Sequence, residues 1–511
     1  MTNVRREVLA RVLQGPGSLA AAGVAVNGGN LLANLVFARA LDATNYGALV
    51  VQTGIFLILS MGGSALQVAV VQRDTSTPGN TRHQRGFWIR RLRGVCAVGA
   101  AVTCVLGLLA ASPTATVLSY PHPLAIAEAI AAAGMWLSLS VERGLLQARG
   151  AYQELARNFV LEGVVRITVT IGLVSAGFGV NGAGLGLIVS VLLATEHARR
   201  RTARTSWSVA DARRTATHDG TDGPDHIDST GPMLLRPTPT VRTRHALRRD
   251  TTTALAALVP LAMLQNMDVV IVGWLNPASV GAYAAIATAC KVPVFIGLAV
   301  ANFLLPEAAR RRQQGRPATA ALLVAVGWVV TPGLLLVAIG GVAARFLLSE
   351  VFGPGLTGGA SALWVLALAM TCLAVTLLFT NYLLGAGCRG VVGVLAAGTV
   401  LTGGGLVMAG GDLVATAVIA LGCQAVTASL AGFMVLRTHS PAALGTTAGV
   451  PLDRASRLRV GIRPDTRTGG LDPDVDRQPG RGSRRGLAGI PEARDRGPVR
   501  EPGGLILGRS K

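Results

Sequence analysis

Twelve apolar runs, each near the ~20 residues a helix needs to cross ~30 Å of hydrocarbon, leave this chain few ways to fold. Within a bilayer, backbone N–H and C=O groups must be satisfied inside the segment, so runs of this length become helices. The apolar pattern places them at about Gly17–Leu41, Tyr46–Val71, Gly94–Leu118, Leu124–Leu146, Asn158–Ala176 and Val180–His197. Six more follow at about Thr252–Leu275, Ser279–Leu305, Thr319–Val342, Ala360–Leu384, Val391–Ala409 and Leu413–Leu436. With half of its 511 residues hydrophobic, the chain reads as an all-α polytopic membrane protein, not a soluble enzyme with a tail.

Charges inside such runs carry the chemistry. Asp268 and Lys291 sit in two successive runs joined by the turn Asn276-Pro277-Ala278-Ser279. A charge at the centre of a membrane helix costs roughly 2.5–3.5 kcal/mol on insertion scales. Either the pair neutralises itself for structure alone, or both residues line a water-filled path. Lys291 is conspicuous because 45 of the 47 basic residues are Arg; the other Lys is Lys511. In the first run Asn27, Asn30 and Asn34 recur at helical spacing, so they share a face that bonds a neighbouring helix or lines a cavity. Arg39 lies near the outer end of that run, and Glu162 and Arg166 form an i,i+4 pair inside the fifth.

The remaining basic residues mark sidedness. They crowd the seven ends and loops on one face of a twelve-helix bundle, including Arg73, Arg82, Arg85, Arg90, Arg91 and Arg93, the connection with Arg143, Arg149 and Arg157, and Arg310, Arg311, Arg312 and Arg316. The opposite face keeps only Arg345, apart from Arg39. Lys and Arg mark cytoplasmic loops, so both termini are expected in the cytoplasm of a multi-pass plasma-membrane protein. The net charge of +21 is then a topology signal, and no nucleic-acid partner is called for. Residues 1–16 form a short basic terminus. Residues 199–250 and 438–511, rich in Arg, Asp, Pro and Gly, read as a disordered linker and tail. His218, His226, Asp219, Asp222, Asp225 and Asp228 match no metal spacing, and the six cysteines show no CxxC. No metal site and no catalytic group are expected. The longest outer loop, about 343–359, holds Arg345 and Glu350 but no acid pair, which argues against an enzyme.

An internal repeat orders the runs. Leu41-Asp-Ala-Thr-Asn-Tyr-Gly-Ala48 resembles Leu275-Asn-Pro-Ala-Ser-Val-Gly-Ala282, and LLQARG at 145–150 resembles LLGAGC at 383–388. A six-helix unit used twice places residues 17–198 and 251–437 in two lobes. Six is even, so the pseudo-twofold lies along the membrane normal with a cleft between the lobes. The first offset also pairs Asn34 with Asp268.

Three stretches carry a family likeness: FARALDATNYG, ERGLLQARGAYQELARNFVLEGVVRITVTIGLVSAGFGVNGAGLG, and NMDVVIVGWLNPASVGAYAAIATACKVPVFIGLAVANFLLPEAARRRQQG. They resemble the oligosaccharide flippases of the multidrug/oligosaccharidyl-lipid/polysaccharide (MOP) exporter superfamily, and VFGPG leading to NYLLGAGCRG is similar to its second half. The resemblance covers about 17–437. It implies the MATE-like two-lobe fold, alternating access, and outward carriage of a polyprenyl-diphosphate-linked oligosaccharide, a cell-envelope polysaccharide precursor. Lys291, Arg166 and Arg39 would hold the diphosphate. Asp268 and Glu162 would keep these cations soluble or take a coupling ion, with Asn30 and Asn34 completing the cavity. The alternative is a cation-coupled multidrug or small-molecule exporter of the same superfamily. No cofactor is called for beyond a coupling ion, H+ or Na+. Expected partners are the lipid-linked glycan, membrane lipids, and a glycan polymerase or glycosyltransferases.

Sidedness is testable by single-cysteine labelling in a background without native cysteines. Positions Asn3, Arg213 and Arg467 are expected to react only from the cytoplasm, and Asn276 and Gly355 only from outside. Labelling of position 213 from outside intact cells would refute the twelve-helix arrangement.

Overall fold

A computed structural model describes residues 16–76, 82–218, 241–301, 319–386 and 388–437. The expected N-terminal arm (except Pro16), the centre of the linker, the basic loop after Pro306 and the whole tail lie outside the described residues. Regular structure among the described residues is helical throughout. The first half comprises α1 (Pro16–Ala40), α2 (Ala43–Ser76), α3 (Arg82–Val117), α4 (Pro123–Ala148), α5 (Tyr152–Leu173) and α6 (Gly179–His218). The second comprises α7 (Val241–Leu275), α8 (Val280–Cys290), α9 (Val292–Ala301), α10 (Thr319–Val342), α11 (Ala344–Phe352), α12 (Leu363–Gly385), α13 (Val391–Met408) and α14 (Leu413–Arg437). α6 and α7 thus run into the stretch that composition assigns to the linker, and α3 takes in Arg82–Arg93, which composition assigns to a loop. Residues 344–352, read as loop from sequence, form the short helix α11, which buries Leu348 and Phe352.

Among the described residues ten helices are long and apolar enough to cross a bilayer, eleven when the bent pair Pro277–Cys290 and Val292–Ala301 is one span. One of the ten is a continuous stretch, Tyr152–Thr205, of 54 residues. At ~1.5 Å per residue it is more than twice as long as the hydrocarbon is thick. It folds back on itself at a π-helical turn, Val174–Phe178, where Gly177 has φ 92° and Gly179 φ 54°. Only glycine takes such angles without strain. Beyond the turn the arms run antiparallel. Asn158 Nδ2 donates to Ala194 O at 2.7 Å, and Gly186 and Gly182 pack on Thr170 and Leu173. Split at this reversal, the spans among the described residues number twelve.

The bend between α8 and α9 is 41° and centres on Lys291. Its cause is Pro293, which has no N–H to offer Ala289 O and whose ring disfavours a straight helix through that carbonyl. As the second residue of α9, Pro293 is tolerated.

The two halves repeat one packing scheme. α1 packs on α5 as α7 packs on α13; α3 on α4 as α10 on α12; α4 on α6 as α12 on α14; α5 on α6 as α13 on α14. The halves meet where their repeat motifs meet. A Cβ at Gly47 would stand 2.7 Å from Gly281 N, and one at Gly281 would stand 2.1 Å from Ala43 O. Gly47 and Gly281 are the matched glycines of the repeat. Residues that touch their own symmetry mates lie at the twofold axis, so the contact marks the pseudo-twofold. From there the lobes share an apolar core in which Tyr46, Val51, Val272 and Tyr283 are buried. This seam continues to Gly54, which sits against Val270 and Asn266 O.

Because backbone occupies the space beside Gly281, Gly281→Ala is expected to wedge the lobes apart at this end. Spin labels at Thr44 and Ser279 should then show a distance distribution shifted to longer values. Gly355→Ala, a position with nothing within 4 Å, should leave it unchanged. An unshifted distribution in Gly281→Ala would contradict the close crossing.

Candidate functional site

Below the seam the lobes part around a cavity of about 280 Å³. α1, α2, α5 and α6 form one wall, and α7, α8 and α9 the other. The asparagine stripe of α1, Asn27, Asn30 and Asn34, faces it, with Gln52 and Thr53 from α2. The opposite wall presents Gln265, Asn266 and Thr288. Among the described residues two charged side chains line the cavity, and both are cations: Arg166 on α5 and Lys291 at the α8–α9 bend. Among the described residues no Asp or Glu lines it.

Each cation is steadied by a neutral amide. Lys291 Nζ donates to Asn266 Oδ1 at 3.0 Å. Arg166 Nη2 donates to Asn30 Oδ1 at 2.7 Å, while its Nη1 lies 3.5 Å from Glu162 Oε1. The bend places Lys291 just past the C-terminus of α8, where the helix dipole favours a positive charge. Asn34 Nδ2 bonds back to Asn30 O at 2.8 Å, which fixes the stripe.

Four residues nominated from sequence therefore meet at this cavity: Lys291, Arg166, Asn30 and Asn34. Three others, Asp268, Glu162 and Arg39, do not line it. Asp268 is two residues beyond Asn266, about 200° around the helix, so it points into the C-terminal lobe. There it is 3% exposed, and its Oδ2 accepts from Tyr283 Oη at 3.0 Å while Oδ1 has no hydrogen-bond partner. Lys291 and Asp268 form no direct ion pair within 4.0 Å, so any neutralisation between them acts through space and not through a contact. The offset that pairs Asn34 with Asp268 relates a lining residue to a buried one. Glu162 lies behind Arg166, inside the N-terminal lobe. Arg39 is exposed in the last turn of α1, and its Nη2 donates to Glu350 O of α11, tying the lobes at the seam end.

Sequence reading missed Arg143. Its neighbours Arg149 and Arg157 suggest a loop, but Arg143 lies within α4 with its side chain 1% exposed. Its guanidinium carbon stands 4.0 Å from the Phe159 ring centre and 5.1 Å from that of Trp136. Nε donates to Asn158 Oδ1 at 2.7 Å, and Nη2 lies 3.8 Å from Glu162 Oε2. The signal was a charged pair, Glu142-Arg143, inside an otherwise apolar run. Glu142 is likewise buried and takes a bidentate pair from Arg93 at 2.5 and 2.7 Å.

No family model and no curated protein matches the chain, but solved structures do. An inward-facing multidrug-resistance MATE transporter of the MOP superfamily aligns with a TM-score of 0.56 at 14% identity, covering 82% of this chain and 99% of that one. A mutant of the Vibrio cholerae MATE transporter VcmN aligns at 0.54 and 14% identity, over 83% and 97%. A MOP superfamily transporter from Pyrococcus furiosus aligns at 0.53 and 15% identity, over 84% and 97%; reversed polarity of its binding pocket is described as suggesting a different function. The fold of this chain is that of the MATE transporters. In this MATE fold the cationic cavity lies at the interface of the two lobes, on the side of the seam away from Gly47 and Gly281.

The pairing observed here sets an order of stabilities. Tyr283→Phe leaves both carboxylate oxygens of buried Asp268 without a side-chain partner and is expected to cost about 1–3 kcal/mol. Lys291→Ala frees Asn266 Oδ1, which water in the cavity can satisfy, and removes a charge that is not in direct contact with Asp268; it should cost about 1 kcal/mol or less. Unfolding of the purified variants in detergent measures both. A larger loss for Lys291→Ala would make Lys291 the counter-ion of Asp268.

Proposed function

We propose that this protein is a transporter that flips a polyprenyl-diphosphate-linked oligosaccharide, a precursor of cell-envelope polysaccharide, from the inner to the outer leaflet by alternating access. The observation that carries the reading is a cavity between two lobes with one cation on each wall and, among the described residues, no carboxylate. A diphosphate entering ~30 Å of low-dielectric core needs charge-assisted donors, and Arg166 and Lys291 supply them from opposite sides. The surrounding amides, Asn27, Asn30, Asn34, Gln52, Gln265 and Asn266, suit sugar hydroxyls as donor and acceptor at once. At about 280 Å³ the cavity falls at the small end of ligand sites, so it would take the headgroup while the polyprenyl chain stays in lipid.

The alternative, a multidrug exporter, draws on what the inward-facing relative is called. A cationic drug would meet two cations here, so the polarity favours the anionic cargo. In the Pyrococcus furiosus protein, too, pocket polarity is what suggests a different function.

With both termini in the cytoplasm, as the loop charges suggest, the Gly47–Gly281 seam lies on the outer side. The cavity below it would then load from inside. Transport requires the seam to open, and a coupling ion, H+ or Na+, would drive the cycle. The protein works in the plasma membrane on substrate delivered by glycosyltransferases and released to a polymerase.

Flipping of a fluorescent polyprenyl-diphosphate glycan by the reconstituted full chain tests this. Lys291→Ala and Arg166→Ala should each lower the rate at least about tenfold, the effect of losing one charge-assisted bond, with normal protein levels. Lys291→Arg should keep part of the rate, since the charge persists with different geometry. Unchanged diphosphate flipping in both alanine variants, with export of cationic dyes instead, would refute the proposal.

A further inference from the structure

Behind Arg166 lies an arrangement that cargo binding alone does not explain. Glu162 is one carboxylate shared by two guanidiniums, Arg166 at 3.5 Å and Arg143 at 3.8 Å. Neither approach closes into a hydrogen bond: Glu162 Oε1 and both Arg143 Nη atoms are buried without hydrogen-bond partners. Leaving such groups unpaired is costly, yet the atoms that would satisfy one another are already less than 4 Å apart.

The two arginines differ in freedom. Arg143 is held by Asn158, which is itself anchored to Ala194 O at 2.7 Å, and by the rings of Trp136 and Phe159. Its side chain is 1% exposed. Arg166 has a side chain 20% exposed and reaches the cavity. An anion in the cavity would compete with Glu162 for Arg166. If Arg166 were the sole partner of Glu162, that exchange would strand an unpaired carboxylate in the membrane interior.

We propose that Arg143, Glu162 and Arg166 form a partner-exchange relay, in which Glu162 closes onto Arg143 when cargo draws Arg166 away. Arg143 is then a positioning residue. It never meets the cargo, but it makes Arg166 releasable at little cost. The relay rests on the anionic-cargo reading above and says how that cavity is switched between its empty and loaded states.

Calorimetric titration of inorganic pyrophosphate into the purified full chain tests it. The wild type is expected to bind. Arg143→Gln should weaken binding at least about tenfold, because Glu162 then retains Arg166. The double variant Arg143→Gln with Glu162→Gln should return to within about threefold of wild type, since the competitor is gone. Arg143→Lys, which keeps the charge, should stay near wild type. An unchanged Arg143→Gln, or a weakened one that the double variant does not rescue, overturns the relay while leaving the anionic reading intact. Wild-type protein that fails to bind pyrophosphate overturns that reading and the relay with it. Should Arg143→Gln not fold, Glu162→Gln alone decides: binding within about threefold of wild type supports the exchange, since Glu162 already closes onto Arg143, and a change of about tenfold or more in either direction refutes it.

Discussion

Holding charge where water is scarce is the constraint on which this structure turns. An ionised side chain in a bilayer is tolerated only where it faces the bundle interior or a wet cavity and finds partners there. Each intramembrane charge described here meets that demand differently. Glu142 takes a bidentate pair from Arg93, Glu162 is divided between two arginines, and Asp268 accepts from Tyr283. Lys291 is held by an amide rather than an acid. The result is a sorting: the carboxylates of Glu142, Glu162 and Asp268 are withdrawn into the lobes, and two cations are left at the cavity wall. Such a wall would suit an anion, because among the described residues no Asp or Glu lines the cavity beside it.

The backbone serves the same end. Pro293 breaks the eighth crossing at Lys291 and turns that residue towards the interface. Gly47 and Gly281 let two helices from different lobes touch through their backbones, which closes one end of the cleft. A side chain at either glycine would force the lobes apart, so this close backbone crossing is also where a rocking motion would have to break. The second half carries α11 and a 3-10 segment, Pro354–Ala362, at this end, and Arg39 reaches across to α11. The seam is therefore held by backbone proximity, a buried apolar core, the buried hydrogen bond from Tyr46 Oη to Thr288 Oγ1 at 3.3 Å and the exposed one from Arg39 to Glu350 O.

Sequence made the crossings legible because apolar length and charge bias are set by the bilayer, not by packing detail. The asparagine stripe, Arg166 and Lys291 were legible for the same reason: a polar group in an apolar run needs a purpose. Direction was harder to read. Asn266 and Asp268 are two residues apart, and only the helix phase sends one to the cavity and the other to the core. Arg143 and Arg93 were hidden by the arginine-rich segments around them, which imitate cytoplasmic loops while running on as helix. The 310s and the tail beyond Arg437 lie outside the described residues, and the extended α6 and α7 owe their length to polar sequence that composition assigns to a linker.

The central claim is that the cavity selects negative charge. Native mass spectrometry of the protein extracted from its own membrane identifies what it retains. The account predicts co-purifying polyprenyl-diphosphate glycans in the wild type and their loss in Lys291→Ala. Retention of cationic amphiphiles, or an identical set of anionic lipids in both proteins, would contradict it.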